Sequence, residues 1–171
     1  IDVDDTKPDY AASLHCWGLN TGTFDLANVP DNVNPTQVSA GIFHNCFLDD
    51  NGVHCWGYNE YGQTDVPNLS NPTSVAAAQN TSCAVDDNGV QCWGKQAQAG
   101  LFLENSPSLS NPTQLTMGDA HACALDDNGV QCWGSNSDGQ TDVPTLSNPI
   151  QVSANYHTTC ALDDQGVQCW G

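Results

Sequence analysis

The residues of this 171-residue chain that could do chemistry are nine cysteines, five histidines and a set of paired aspartates. Eight of the cysteines form four pairs, and the members of each pair lie nine positions apart in the sequence. A cytosolic protein would more often use such cysteines for metal or redox work, whereas a secreted protein would oxidise them. The pairs are Cys46/Cys55, Cys83/Cys92, Cys123/Cys132 and Cys160/Cys169, and Cys16 stands alone.

Zinc is the metal that these cysteines and histidines could bind together. His44 and His121 lie two positions before the first cysteine of a pair, but Thr81 and Thr158 take this place in the other two pairs. If each cysteine pair belonged to a zinc site, a histidine would be needed beside every pair. The sequence therefore predicts no metal site of this kind and favours disulfides, with Cys16 unpaired or bonded to another chain.

An Asp-Asp doublet lies between the two cysteines of every pair. Carboxylate oxygens are the ligands of calcium, and paired carboxylates also serve glycoside hydrolysis. Yet Asp and Asn are good turn formers, and a doublet that recurs in every unit is typical of structure rather than of one catalytic centre. We favour the turn interpretation, predict no catalytic residue and no cofactor, and keep weak calcium binding as an alternative at Asp49, Asp50, Asp86, Asp87, Asp126, Asp127, Asp163 and Asp164.

A repeat positions all of these residues. The dipeptide Trp-Gly begins at residues 17, 56, 93, 133 and 170, so successive copies lie 39, 37, 40 and 37 residues apart. A fixed period of this length indicates a propeller, a solenoid or another array.

Each repeat contains three short segments with the pattern of β-strands. In the best-preserved copy these segments are 113–117, 121–125 and 130–133, and a loop of Asp, Asn and Gly at 126–129 predicts a hairpin. That loop pairs Leu125 with Val130 and Cys123 with Cys132 across two antiparallel strands. Directly opposed residues lie within disulfide range, so the turn chemistry predicts one staple per hairpin.

The tryptophans follow the second cysteine of each pair by one residue. Neighbouring residues of a strand point to opposite faces of the sheet, so the indole and the disulfide lie on different faces. We interpret the tryptophans as core residues, and we expect their face to meet the next repeat of the array.

The repeats resemble those of the regulator of chromosome condensation family. The resemblance rests on Ala40-Gly41 before His44, Ala124-Leu125 before Gly129-Val130, the Trp-Gly dipeptides and Asn136 before Gly139-Gln140. The short period and the Gln-Thr-Asp-Val-Pro segments at 63–67 and 140–144 are most similar to bacterial propeller-type β-lactamase inhibitor proteins. The resemblance implies a β-propeller-like fold of compact three-stranded blades. It implies no single activity, because the family includes exchange factors, inhibitors and secreted binding proteins.

The predicted fold is therefore all-β: tandem three-stranded antiparallel blades, four complete plus one partial, each complete hairpin stapled by a disulfide. In the partial repeat, Ile1–Asp5 and Leu14–Gly18 match the two strands of a hairpin, which places Cys16 opposite Ile1 without a partner. Three interpretations stay open: a fragment of a longer protein, an array whose neighbouring subunits supply the missing contacts end to end, and a closed five-bladed ring. We divide the single array 1–171 into a partial first blade at 1–35, full repeats at 36–72, 73–112 and 113–149, and a last blade at 150–171.

The charge of the chain narrows its partners. Twenty acidic residues against two lysines give a formal net charge of −18, which disfavours nucleic acid and anionic membrane surfaces. No apolar run is long enough for a membrane span, so we expect no membrane insertion. Aromatic residues outside the repeat pattern, Tyr58, Tyr61 and Phe102, are candidates for a contact surface, and Asn68 and Asn80 begin glycosylation sequons.

These observations predict a secreted, non-enzymatic structural protein. Its predicted partners are further copies of itself, which associate end to end and can form a fibre. The alternative is a secreted binding or inhibitor module that uses one propeller face. A carbohydrate-active enzyme is the third and weakest interpretation.

Overall fold

The computed structural model describes residues 34–95 and 106–171, together with Leu14 and Cys16. The partial first repeat, apart from those two residues and positions 34 and 35, lies outside the described residues. The described ranges contain twelve strands: β1 Gln37–Ala40, β2 His44–Asp49, β3 Gly52–Gly57, β4 Ser74–Ala78, β5 Thr81–Asp86, β6 Gly89–Gly94, β7 Gln114–Met117, β8 His121–Asp126, β9 Gly129–Gly134, β10 Gln151–Asn155, β11 Thr158–Asp163 and β12 Gly166–Trp170.

Successive trios of strands form four antiparallel sheets, which confirms the predicted all-β blade architecture. We name them blade 1 (β1–β3), blade 2 (β4–β6), blade 3 (β7–β9) and blade 4 (β10–β12). The predicted register is confirmed as well, since Leu125 pairs with Val130 and Cys123 with Cys132. The ladder continues one pair further than expected, to Asp126 and Gly129, which leaves a two-residue turn. Gly129 has a φ of 101°, a conformation that glycine adopts without strain.

Each hairpin is closed by the disulfide that the cysteine spacing predicts. The bonds join Cys46–Cys55, Cys83–Cys92, Cys123–Cys132 and Cys160–Cys169. Their Cα atoms lie 4.0–4.1 Å apart, because each pair sits directly opposite in the ladder. The fold therefore brings the cysteines together through local backbone geometry alone.

The hydrophobic core lies between the blades. Between blades 1 and 2, the disulfide face of blade 1, with Cys46 and Leu48, packs against Val75, Ala84 and Trp93 of blade 2. Equivalent clusters join blades 2 and 3 and blades 3 and 4. Each disulfide of blades 1 to 3 thus faces the following blade, and each tryptophan of blades 2 to 4 faces the preceding one.

This packing corrects the expected direction of the indoles. The alternation of side chains in a strand correctly placed tryptophan and disulfide on opposite faces, but we expected the tryptophan face to meet the next repeat. Trp133 lies instead in the cluster that contains Cys83 and Val85 of blade 2. Strand alternation fixes that two faces differ, and only the stacking order of the blades decides which neighbour each face meets.

The first strands of the blades lie side by side and are joined by side chains rather than by a backbone ladder. Gln37 and Ser39 of β1 accept hydrogen bonds from the N–H groups of Val75 and Ala77, at 2.8 Å each. The same bonds recur 77 residues later, from Val152 to Gln114 at 3.0 Å and from Ala154 to Thr116 at 2.9 Å. These polar side chains satisfy strand N–H groups that would otherwise be buried without a partner.

Candidate functional site

A buried hydrogen-bonded group, which we call the interblade lock, joins blade 1 to blade 2. The ring Nε2 of His44 lies 2.9 Å from the hydroxyl of Ser82, and that hydroxyl donates to the main-chain carbonyl of Gln63 at 2.8 Å. Trp93 donates its indole N–H to the same carbonyl at 2.9 Å. Because the Ser82 hydrogen is committed to Gln63, the serine oxygen is the acceptor, which assigns the hydrogen of the neutral imidazole to Nε2.

The imidazole of the lock is held in a closely fitted site. His44 is fully buried, and burial lowers its pKa to about 4, against a smaller opposite effect of the Gln79 and Thr81 backbone. Gly41 packs against the ring, since a Cβ at this position would come within 2.6 Å of Cε1. The Ala-Gly-x-x-His pattern of the sequence therefore serves packing between blades.

The same lock joins blade 3 to blade 4. His121 Nε2 lies 2.8 Å from the hydroxyl of Thr159, which donates to the carbonyl of Gln140 at 3.0 Å, and Trp170 donates there at 3.1 Å. Between blades 2 and 3 the sequence carries Thr81 and Ala122 at the positions of the histidine and the hydroxyl.

Histidine alternates with threonine at this position of the repeat, a pattern that speaks against zinc. The alternation in fact marks a two-blade period. Gln63, Ser82 and their counterparts Gln140 and Thr159 were missed, and the available signal was their 77-residue spacing.

The Asp-Asp doublets hold the turns of the hairpins and, in blades 2 to 4, the loops that precede the blades. Asp163 accepts the N–H groups of Gln165 and Ser147, at 2.8 Å each, and Asp164 accepts the side-chain amide of Asn148 at 2.6 Å. The Ser147 N–H is the largest influence that lowers the pKa of Asp163. Asp86 and Asp126 bond the equivalent groups, while Asp49 accepts from Asn51 and contacts His54.

These bonds support the turn interpretation of the doublets. Within the described ranges, no group of three or more His, Cys, Asp or Glu side chains converges as a metal site. Weak calcium binding at Asp49, Asp50, Asp86, Asp87, Asp126, Asp127, Asp163 and Asp164 stays a prediction.

Two of the three predicted contact residues lie together on one rim of blade 1. The rings of Tyr58 and Tyr61 meet edge to face with centroids 6.1 Å apart, and Phe43 meets Tyr58 at 6.2 Å. We call Phe43, Tyr58 and Tyr61 the aromatic rim. The ammonium of Lys95 lies over the Tyr61 ring, 4.8 Å from its centroid. Phe102 lies outside the described residues.

The two sequons differ in their surroundings. Asn68 is exposed in the loop between blades 1 and 2, whereas Asn80 lies in the β4–β5 turn and its sequon contains the buried Thr81 and Ser82. The structure therefore favours Asn68 as the glycosylation candidate, and Asn80 belongs to the surroundings of the lock.

Cys16 forms no disulfide and is half-buried. Burial raises the pKa of its thiol. Its predicted pairing with another chain stays a prediction, and its expected neighbour Ile1 lies outside the described residues.

Among the described residues, large exposed apolar side chains occur only on blades 1 and 4. On blade 4 the disulfide face is open: Val167 is 71% exposed, while Val53 and Val130 at the same position of blades 1 and 3 are 9% and 8% exposed. On blade 1, Val38 of β1 is 57% exposed, against 1% for Val75 of blade 2. The exposed apolar residues are Val38, Ile42, Phe43, Ile150, Tyr156 and Val167.

The inner strands enclose a cleft of about 420 Å³ where the four blades converge. Small side chains and turn backbone form most of its wall, and Ile42, Asp119 and Tyr156 stand among its lining residues. No helix in the described ranges is long and apolar enough to cross a membrane.

The stacked three-stranded blades define a β-propeller-type repeat array. Two of the repeats match a known repeat model: the regulator of chromosome condensation (RCC1) repeat matches residues 36–63 and 113–140. These two segments lie 77 residues apart and contain the histidines and glutamines of the two locks, which confirms the predicted resemblance. No curated protein matches the chain by sequence.

Solved structures share the fold over most of the chain. The ectodomain of the receptor kinase CR4 of Physcomitrella patens is 27% identical with a TM-score of 0.74, over 92% of this chain and 46% of that one. The ectodomain of ACR4 of Arabidopsis thaliana is 24% identical with a TM-score of 0.69, over 92% and 61%. Prp20p of Saccharomyces cerevisiae is 19% identical with a TM-score of 0.60, over 81% and 44%. The chain thus spans roughly half the length of these structures, and the last two show the fold alone.

Proposed function

We propose that this chain is an extracellular, non-catalytic protein-interaction module that associates end to end with further copies of itself through its open blade faces. The observation that carries the proposal is the exposure of Val38 and Val167 at positions that are buried inside the array. Exposed apolar surface of this kind is typical of protein contacts.

The two open faces also complement each other in their hydrogen-bonding groups. Blade 4 carries Gln151 and Ser153 at the positions from which Gln37 and Ser39 accept the N–H groups of the next inner strand. In β1, Val38 and Ala40 occupy the positions of the donors Val75 and Ala77. A neighbouring copy could therefore repeat the internal blade contact, and a head-to-tail contact of this type that does not close generates a filament.

The disulfides and the neighbouring structures support an extracellular location. Four disulfide staples persist in an oxidising compartment, and the similar structure that is 27% identical is a receptor kinase ectodomain. The absence of catalysis is proposed because the carboxylates that recur in each blade serve turns, and His44 and His121 serve interblade bonds.

Sedimentation velocity of the full chain under non-reducing conditions tests the assembly. We expect a concentration-dependent series of oligomers, and Val38→Asp or Val167→Asp should abolish it by placing a charge in the apolar contact. Asn68→Asp, on an exposed loop away from both faces, is the matched control and should assemble normally. A native chain that stays monomeric at all concentrations, or a Val167→Asp variant that still assembles, would contradict the proposal.

The alternative is a secreted binding or inhibitor module, and the aromatic rim is the observation in its favour. A discrete complex of fixed stoichiometry with a different protein, formed while both blade faces remain open, would support this function instead. In that case the rim variants described below, rather than Val38→Asp and Val167→Asp, would weaken the complex.

A further inference from the structure

The equivalent surface of blade 3 lacks the aromatic side chains of the aromatic rim. Because blades 1 and 3 share the 77-residue period, Phe43, Tyr58 and Tyr61 correspond to Ala120, Ser135 and Asp138. The array thus contains its own comparison between two equivalent rims, only one of which is aromatic.

The backbone of the two rims is the same. The N–H of Tyr58 donates to the carbonyl of Phe43, and that of Ser135 to the carbonyl of Ala120, at 2.7 Å in both blades. The loops that follow also agree, since the side-chain amide of Asn59 donates to Asp65 at 2.7 Å and that of Asn136 to Asp142 at 2.8 Å. The loop geometry therefore does not require aromatic residues.

The rim is accessible and already binds one cation. Phe43 is 38% exposed, and Tyr58 and Tyr61 are half-buried, so part of the aromatic surface remains open to solvent. The ammonium of Lys95 over Tyr61 shows that a cation fits against a ring face here. The exposed carboxylates of Glu60 and Asp65 lie in the same loop, and Glu60 accepts the hydroxyl hydrogen of Tyr58.

We propose that the aromatic rim, with Glu60 and Asp65, is a docking site for a basic polypeptide segment. Arginine and lysine side chains combine with aromatic faces and carboxylates, and aromatic residues are enriched among those that carry binding energy. A second copy of this chain does not fit this surface, because it has two lysines and a net charge of −18. The proposal is independent of the end-to-end contact, which uses other faces of the blades.

A carbohydrate is the other partner that exposed aromatic residues could indicate. Sugar rings stack on open aromatic faces, whereas the rings of the rim stand at 77° and 78° to one another, and the neighbouring carboxylates of Glu60 and Asp65 attract cations. The geometry of the rim therefore favours cationic side chains over a stacked sugar.

Binding of a fluorescent hexa-arginine peptide to the full chain, followed by anisotropy at about 0.15 M salt, tests the proposal. The decisive variant combines Phe43→Ala, Tyr58→Ser and Tyr61→Asp, which installs the residues that blade 3 already carries on the same backbone. We expect binding about tenfold weaker, as the loss of one or two cation–ring contacts implies. Attraction to net charge alone predicts the opposite, because the variant is more acidic by one charge.

Ser135→Ala, on the equivalent rim of blade 3, is the control and should bind the peptide like the native chain. Far-UV circular dichroism checks the fold, and Tyr58→Ser alone serves if the triple variant is unstable, with about a threefold loss expected. A triple variant that binds as tightly as the native chain, or a native chain that does not bind, overturns the proposal. A neutral oligosaccharide that displaces the peptide would overturn the assignment of a basic partner.

Discussion

At the scale of single residues, the molecule is organised by two hydroxyl groups. Ser82 and Thr159 each accept from a histidine and donate to a glutamine carbonyl, and each lies at a contact between two blades. The histidines and hydroxyl groups of both locks are buried, so the loss of one partner leaves the other without water and without a hydrogen bond. Such a group costs more than the bond itself contributes.

Ser82→Ala should therefore destabilise the chain by about 1–3 kcal/mol, because it leaves the buried Nε2–H group of His44 without a hydrogen-bond acceptor. The double variant His44→Thr, Ser82→Ala installs the pair Thr81 and Ala122 that the contact between blades 2 and 3 already uses. We expect its loss to be smaller than the sum of the two single losses, since it removes both partners. Urea denaturation of the native chain and the three variants gives this cycle, and simple additivity would show that the lock has no energetic coupling.

At the scale of the strands and hairpins, local chemistry decided most of the fold. The Asp-Asp-Asn-Gly turn fixed the pairing of Leu125 with Val130, and that pairing placed the cysteines opposite each other. The contacts between blades were less predictable, because His44 and Ser82 are 38 residues apart and meet only after the sheets stack. For the same reason the sequence showed that Trp133 and the disulfide lie on different faces, but not which blade each face meets.

The staples should contribute unequally although they close loops of the same length. Loop-closure entropy predicts about 2.5–3 kcal/mol for a loop of about ten residues, which applies to every hairpin. Cys83 is fully buried against blade 3, whereas Cys169 lies on the exposed face of blade 4. Replacing Cys83 and Cys92 by Ala should therefore cost about 1 kcal/mol more than replacing Cys160 and Cys169, because lost packing adds to lost constraint. If thermal unfolding showed the same loss of stability for both pairs of replacements, the disulfides would act only through the entropy of the unfolded chain.

At the scale of the whole molecule, charge and shape act against each other. The net charge of −18 repels any second copy, while the open faces carry the exposed apolar side chains of Val38 and Val167. Screening weakens repulsion between surface charges and leaves apolar contacts intact, since the Debye length falls from about 30 Å at 0.01 M salt to about 10 Å at 0.1 M. Salt should consequently favour association of the copies and oppose binding of a basic segment at the aromatic rim.

Sedimentation velocity at about 0.02, 0.15 and 0.5 M sodium chloride should show the oligomers growing as the ionic strength rises. Val167→Asp should remain monomeric throughout, which separates contact through the blade face from general salting-out. Hexa-arginine binding should weaken over the same series, because counterions compete for Glu60 and Asp65. If salt instead dissociated the oligomers into monomers, the contacts between copies would have to be ionic. In a chain with two lysines and no arginine, such contacts would need another molecule to supply the positive charge.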